Sequence, residues 1–160
     1  MRSKRSTFII LSLLFISLFV IAAKCETSTQ QGGLTFKDAY LSSQPLQNNQ
    51  PPEPAKTNSF TSGERIYFYF RQVGPFTKNA EGKQSFDMSY QILSEEGEPI
   101  FGEENLYADT PPLTVPGDHL YVYTSFQAPA GTTGNFQASG VVYDKVSGAK
   151  VTKTITFTLV

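Results

Sequence analysis

From Glu64 onward, apolar and polar side chains alternate with a period of two. That is the spacing at which successive residues of an extended chain face opposite sides. Glu64 to Val73 sets Ile66, Phe68 and Phe70 against Tyr67, Tyr69 and Arg71. Phe86 to Leu93 sets Phe86, Met88, Tyr90 and Ile92 against Asp87, Ser89 and Gln91. Glu95, Glu96 and Glu98 surround Gly97 in a hairpin turn, and Pro99 to Ala108 is the returning strand. Asp118 to Ala128 alternates Leu120, Val122, Thr124 and Phe126 with His119, Tyr121, Tyr123 and Ser125. Asn135 to Asp144 places Phe136, Ala138, Gly140 and Val142 on one side. The last strand alternates Val151, Lys153, Ile155, Phe157 and Leu159 with four threonines. Leu34 to Leu41 reads as a short edge strand. No segment beyond residue 24 has a helical period, and no internal repeat is present. Some seven short strands, separated by turns every ~8–12 residues, predict an all-β, two-sheet antiparallel sandwich.

The pattern breaks twice. Ser42 to Ser59 holds four prolines and many amides, and reads as an extended loop. At the N-terminus, Arg2, Lys4 and Arg5 precede an uncharged apolar run of 16 residues, Phe8 to Ala23. That run is shorter than the ~20 residues that span a bilayer as a helix. Residues 1–24 therefore read as a secretory signal, with an uncleaved N-terminal anchor as the alternative. Cleavage is expected after Ala22 or Ala23. Residues 25–33, polar and small, read as a flexible tether, and residues 34–160 as the sandwich domain.

Charge and composition narrow the function. Removing residues 1–23 takes three basic residues away and leaves 10 Lys+Arg against 14 Asp+Glu, a net −4. Nucleic acid and anionic membrane surfaces both call for a basic face, so neither is expected as a partner. Membrane contact is expected only through the N-terminal segment or a lipid on Cys25. That residue resembles the lipid-modified cysteine of bacterial lipoproteins, although Lys24 stands where the pattern wants a small residue. As the only cysteine it makes no intrachain disulfide, and with one histidine it makes no zinc cluster. No Asn-x-Ser/Thr sequon is present, which favours a bacterial source.

The order of features resembles the immunoglobulin-like and macroglobulin-like β-sandwich modules of bacterial secreted proteins over residues 60–160. The likeness rests on Phe60-Thr61-Ser62-Gly63-Glu64 before an aromatic strand and on the Ser94–Pro99 hairpin. It rests also on Pro129 to Phe136 before a strand ending Val142-Tyr143-Asp144, and on Ser147-Gly148 before the last strand. The resemblance implies a fold and an exported setting, periplasmic, extracellular or at the cell envelope, and no particular reaction. Many such domains place a tyrosine where this chain has Phe136, so that corner is expected to rely on packing.

Candidate chemistry is sparse. His119 is the lone histidine and has no evident nucleophile to activate. No Gly-x-Ser-x-Gly elbow, His-Glu-x-x-His pair or phosphate loop occurs. Glu95, Glu96 and Glu98 are a weak calcium candidate within an acidic hairpin that continues through Glu103, Glu104 and Asp109; the plainer reading is a solvated, edge-protecting turn. No cofactor is expected. The informative feature is aromatic. In immunoglobulin-like order the strands carrying Tyr67 and Tyr69, and Tyr121 and Tyr123, lie side by side. Their outer face then gathers those four tyrosines, with His119 and Arg71 at its margin, while the opposite sheet shows a plain polar face. Tyrosine clusters offer rigid area and a hydroxyl at low entropic cost. The expectation is a non-enzymatic binding module that contacts an envelope or extracellular protein through this face or an edge strand. The alternative is a carbohydrate-binding module using the same face, and a hydrolase ranks last.

Overall fold

In the computed structural model of the chain, which describes residues 26–160, the alternating segments form nine strands and one 3-10 turn. The strands are β1 (Thr27–Gln31), β2 (Asp38–Ser42), β3 (Ser59–Phe60), β4 (Arg65–Val73), β5 (Phe86–Ser94), β6 (Pro99–Glu103), β7 (Leu120–Gln127), β8 (Gly134–Asp144) and β9 (Lys150–Leu159). The 3-10 turn, Pro116–Asp118, leads into β7. One sheet has the order β1-β9-β8-β5-β6, with β3 also on β9; the other is β2-β4-β7. All pairings are antiparallel except that of the two-residue β3, which runs parallel to β9. This is an immunoglobulin-like sandwich, with β4 and β7 adjacent as the sequence predicts. Beyond β7, where a constant-type domain adds a strand, residues 104–119 cross without one. There the Tyr107 hydroxyl donates to the Tyr123 carbonyl at 2.7 Å.

The core lies between the inward residues of the two sheets. Leu41, Ile66, Phe68, Phe70, Val122 and Phe126 come from one sheet; Met88, Ile92, Ala138, Val142, Ile155 and Phe157 are among those from the other. Phe68 and Phe70 stack at 5.0 Å, and the opposing sheet makes room for them with a glycine. A Cβ on Gly140 would sit 2.8 Å from ring atoms of both phenylalanines. Phe136 packs its ring 5.7 Å from that of Phe157, so packing holds the corner where a tyrosine is common. At the β8–β9 turn, the buried Asp144 accepts from the Thr77 amide (2.8 Å) and the Ser147 hydroxyl (2.7 Å). Burial alone would raise its pKa, but these hydrogen bonds outweigh it and lower the value.

Several expectations need correction. The stretch read as a flexible tether contains β1, which pairs with Lys150 to Thr154 of β9. All five β1 residues are exposed, so backbone hydrogen bonding rather than burial holds them, and Lys153 joins Glu26 at 2.7 Å. The strand expected over Pro99–Ala108 ends at Glu103. Asp87, expected on an outer polar face, is buried, and its carboxylate accepts from the amides of Met88 and Tyr107, each at 2.8 Å. The proposed signal segment and Cys25 lie outside the described residues.

Candidate functional site

The three-stranded sheet carries a row of tyrosines on its outer face. Register sets Tyr40 of β2 opposite Tyr69 of β4, and Tyr69 opposite Tyr123 of β7. The ring centroids are 5.5 and 5.4 Å apart, with interplanar angles of 28° and 27°. Tyr67 stacks on Tyr69 from the neighbouring position at 6.1 Å. The rings therefore stand with their faces against one another and turn edges and hydroxyls away from the sheet. Tyr121, two residues before Tyr123 on the same strand face, is the most open member at 43% exposure.

Part of the row is already covered. The Tyr69 hydroxyl donates to the Gln44 carbonyl at 3.0 Å, and the Tyr40 hydroxyl donates to the Pro52 carbonyl at 2.5 Å. The Ala55 amide donates to the Leu41 carbonyl at 3.3 Å. The Pro- and Gln-rich segment is thus a strap across the β2 side of the face. Beneath it Tyr69 is 0% exposed and Tyr40 is buried. Burial pushes both phenols up to about 12.

Sequence reasoning placed Tyr67, Tyr69, Tyr121 and Tyr123 together, with His119 and Arg71 beside them, and the structure does bring the tyrosines to one face. It differs over what each offers. Tyr69 is a buried keystone of the stack and has no surface to give a partner. Tyr67 and Tyr123 are half-buried. Arg71 is occupied: its Nε donates to Asp38 Oδ1 at 2.6 Å, its Nη2 to Asp38 Oδ2, and its guanidinium lies 5.1 Å over the Tyr40 ring. The hydrogen bonding to Asp38 raises the Arg71 pKa further above its already high ordinary value. His119 is exposed, with Nδ1 2.9 Å from the Gly117 carbonyl; among the described residues no hydroxyl or carboxylate hydrogen-bonds it. Tyr40 and Asp38 were missed. The available signal was the alternation of Asp38, Tyr40 and Ser42 with Ala39 and Leu41.

The opposite outer face is less plain than expected. Ser89, Gln91, Ser139, Val141 and Tyr143 meet β6 around an open groove of about 450 Å³. Glu95, Glu96 and Glu98 are exposed at the β5–β6 turn, where the Glu95 carboxylate accepts from Asn135 Nδ2 at 3.2 Å. Among the described residues no three His, Cys, Asp or Glu side chains converge in a way that could hold a metal ion, and no helix is long and apolar enough to cross a membrane.

No family model matches the chain, and no curated protein matches it in sequence. Among solved structures it is similar to the C-terminal domain of Wzt, at 15% identity and a TM-score of 0.54, over 84% of this chain and 78% of that one. It is also similar to a Niemann-Pick type C2 protein from Japanese carpenter ant, at 10% identity and a TM-score of 0.53, over 85% of this chain and 99% of that one. At such identities the likeness is one of fold, and it agrees with the strand order: the chain is an all-β, immunoglobulin-like sandwich domain.

Proposed function

We propose that this chain is an exported, non-enzymatic interaction module of the bacterial envelope or extracellular space, and that it grips a protein partner with the open end of its tyrosine row. The carrying observation is Tyr121, 43% exposed on β7 opposite a register shift in β4, with half-buried Tyr123 and Tyr67 on the same face and exposed His119 two residues before it. Aromatic anchors held rigid by a sheet lose little entropy on binding. A catalytic role has no support in the placement of the one histidine, which is tied to its own turn. Export rests on the basic start and apolar run of the first 24 residues. The protein reading is preferred over the carbohydrate one because sugar stacking uses exposed ring faces, and in Tyr40, Tyr67, Tyr69 and Tyr123 the faces lie against one another, which leaves Tyr121 as a single ring rather than a platform.

The test is photo-crosslinking inside the native host, with a photoreactive residue in place of Tyr121 and the adducts read by mass spectrometry. One discrete protein adduct is expected, lost when Tyr123→Ser is added. An unadducted but folded and exported domain would shift the assignment to a glycan. Tyr121→Ser is expected to leave the melting temperature nearly unchanged, since surface substitutions usually stay within ~0.5 kcal/mol.

A further inference from the structure

The two sheets end in four edges, and three of them have a covering hydrogen bond from another segment or carry no apolar side chain. On β2 the Leu41 carbonyl is taken by the Ala55 amide, and on β7 the Tyr123 carbonyl is taken by the Tyr107 hydroxyl. β1 offers only Thr, Ser and Gln side chains. The fourth edge is different. β6 terminates the larger sheet, all five of its residues are exposed, and it shows Ile100 at 53% and Phe101 at 37% exposure. Phe101 leans inward, 6.2 Å from Phe126 and 6.5 Å from Tyr90, and closes the end of the core. Ile100 lines the outer groove beside Ser139 and Tyr143. Gly102 lets β6 lie close on β5: a Cβ there would meet the Tyr90 carbonyl oxygen at 2.3 Å.

From this arrangement we infer that β6 takes an extended, lysine- or arginine-bearing segment of a partner protein as an added strand. Unpaired backbone groups along a strand edge are a template for another strand, and a pocket beside the edge receives alternate side chains. Charge selects the occupant. Glu95, Glu96 and Glu98 stand at one end of β6 and Glu103 and Glu104 at the other. None of these five belongs to any ion pair among the described residues. Charge along a strand protects an edge against pairing; β6 has none over Ile100, Phe101 and Gly102, and its proline and register shift are confined to the Pro99–Ile100 end. A second copy of this chain paired antiparallel on β6 would set the Glu98 end against the Glu103 end, carboxylate on carboxylate. A cationic segment meets favourable charge at both ends. The surface lies on the sheet opposite the tyrosine row and is independent of what that row binds.

The test uses the full chain and three synthetic nonapeptides. One alternates Lys with Val and Thr, one carries Glu for Lys, and one is the Lys peptide N-methylated at alternate amides. Backbone hydrogen exchange over residues 100–103 is followed with each. The Lys peptide is expected to slow exchange there by about tenfold, while the other two leave it unchanged. The variant E103K/E104K should bind the Lys peptide about tenfold more weakly at unchanged melting temperature, since both residues are exposed. Y121S should bind it as the parent chain does. The inference is overturned if no peptide protects β6. It is equally overturned if the Glu or N-methylated peptide binds as well as the Lys peptide, or if dextran protects these amides where the Lys peptide fails.

Discussion

Tyr40 and Tyr69 keep their protons up to about pH 12 because the stack and the strap remove water from their hydroxyls. An unfolded tyrosine ionises near pH ~10. Folded pKa values raised in this way contribute stability that is complete below the unfolded value and is lost as pH rises through the folded one. Stability should therefore fall between pH 10 and 12, the window set by those two values. Urea denaturation at stepped pH should show the fall, and Tyr69→Phe should make it shallower. At neutral pH the same substitution removes one donor from the Gln44 carbonyl and should cost ~1 kcal/mol. That the four tyrosines share a face was legible in the sequence, because period two assigns every side chain of a strand to a side. That Tyr69 is sealed was not. Its hydroxyl ends on a backbone carbonyl, and a carbonyl acceptor belongs to every residue type, so it leaves no trace in the composition of Gln44 to Pro52.

At the scale of the element, strands β4, β5, β7, β8 and β9 were legible because each carries at least three inward apolar residues at alternate positions. β1 carries none: Thr27 to Gln31 is polar throughout, and only the free edge of β9 makes it a strand. β6 was read too long, since the chain after Glu103 turns instead to hydrogen-bond the side chains of Ser89 and Asp87. The inward register itself invites a direct check. Phe68→Ala and Phe157→Ala remove side chains that are 0% and 3% exposed, and each should cost ~3–5 kcal/mol in chemical denaturation. Gly140→Ala works from the opposing sheet by overpacking. It drives a methyl into the Phe68 and Phe70 rings and should cost ~1–3 kcal/mol. If Gly140→Ala proved neutral, the two sheets would not approach as closely as described.

For the molecule as a whole, β1 and β3 share one side of β9, β1 along its first half and β3 at its end. Together they cover an edge that an isolated sandwich would leave open. Deleting residues 26–31 removes no buried side chain, so the domain should still fold with a transition of ordinary sharpness. It should, however, self-associate through the exposed half of β9, which sedimentation velocity would detect as dimers or larger species. A monomer at high concentration would show that β1 is no guard. The stacked tyrosines also give the whole chain an optical property. It has eight tyrosines and no tryptophan, so its near-ultraviolet emission is tyrosine emission alone, with no indole to drain the excitation. Rings about 5.5 Å apart pass that excitation among themselves, so light absorbed by the sealed Tyr40 and Tyr69 is shared with Tyr123 and Tyr67 toward the open side of the face. Contact at that open side dims or brightens the group together, and the unlabelled protein is its own fluorescent sensor for whatever settles there.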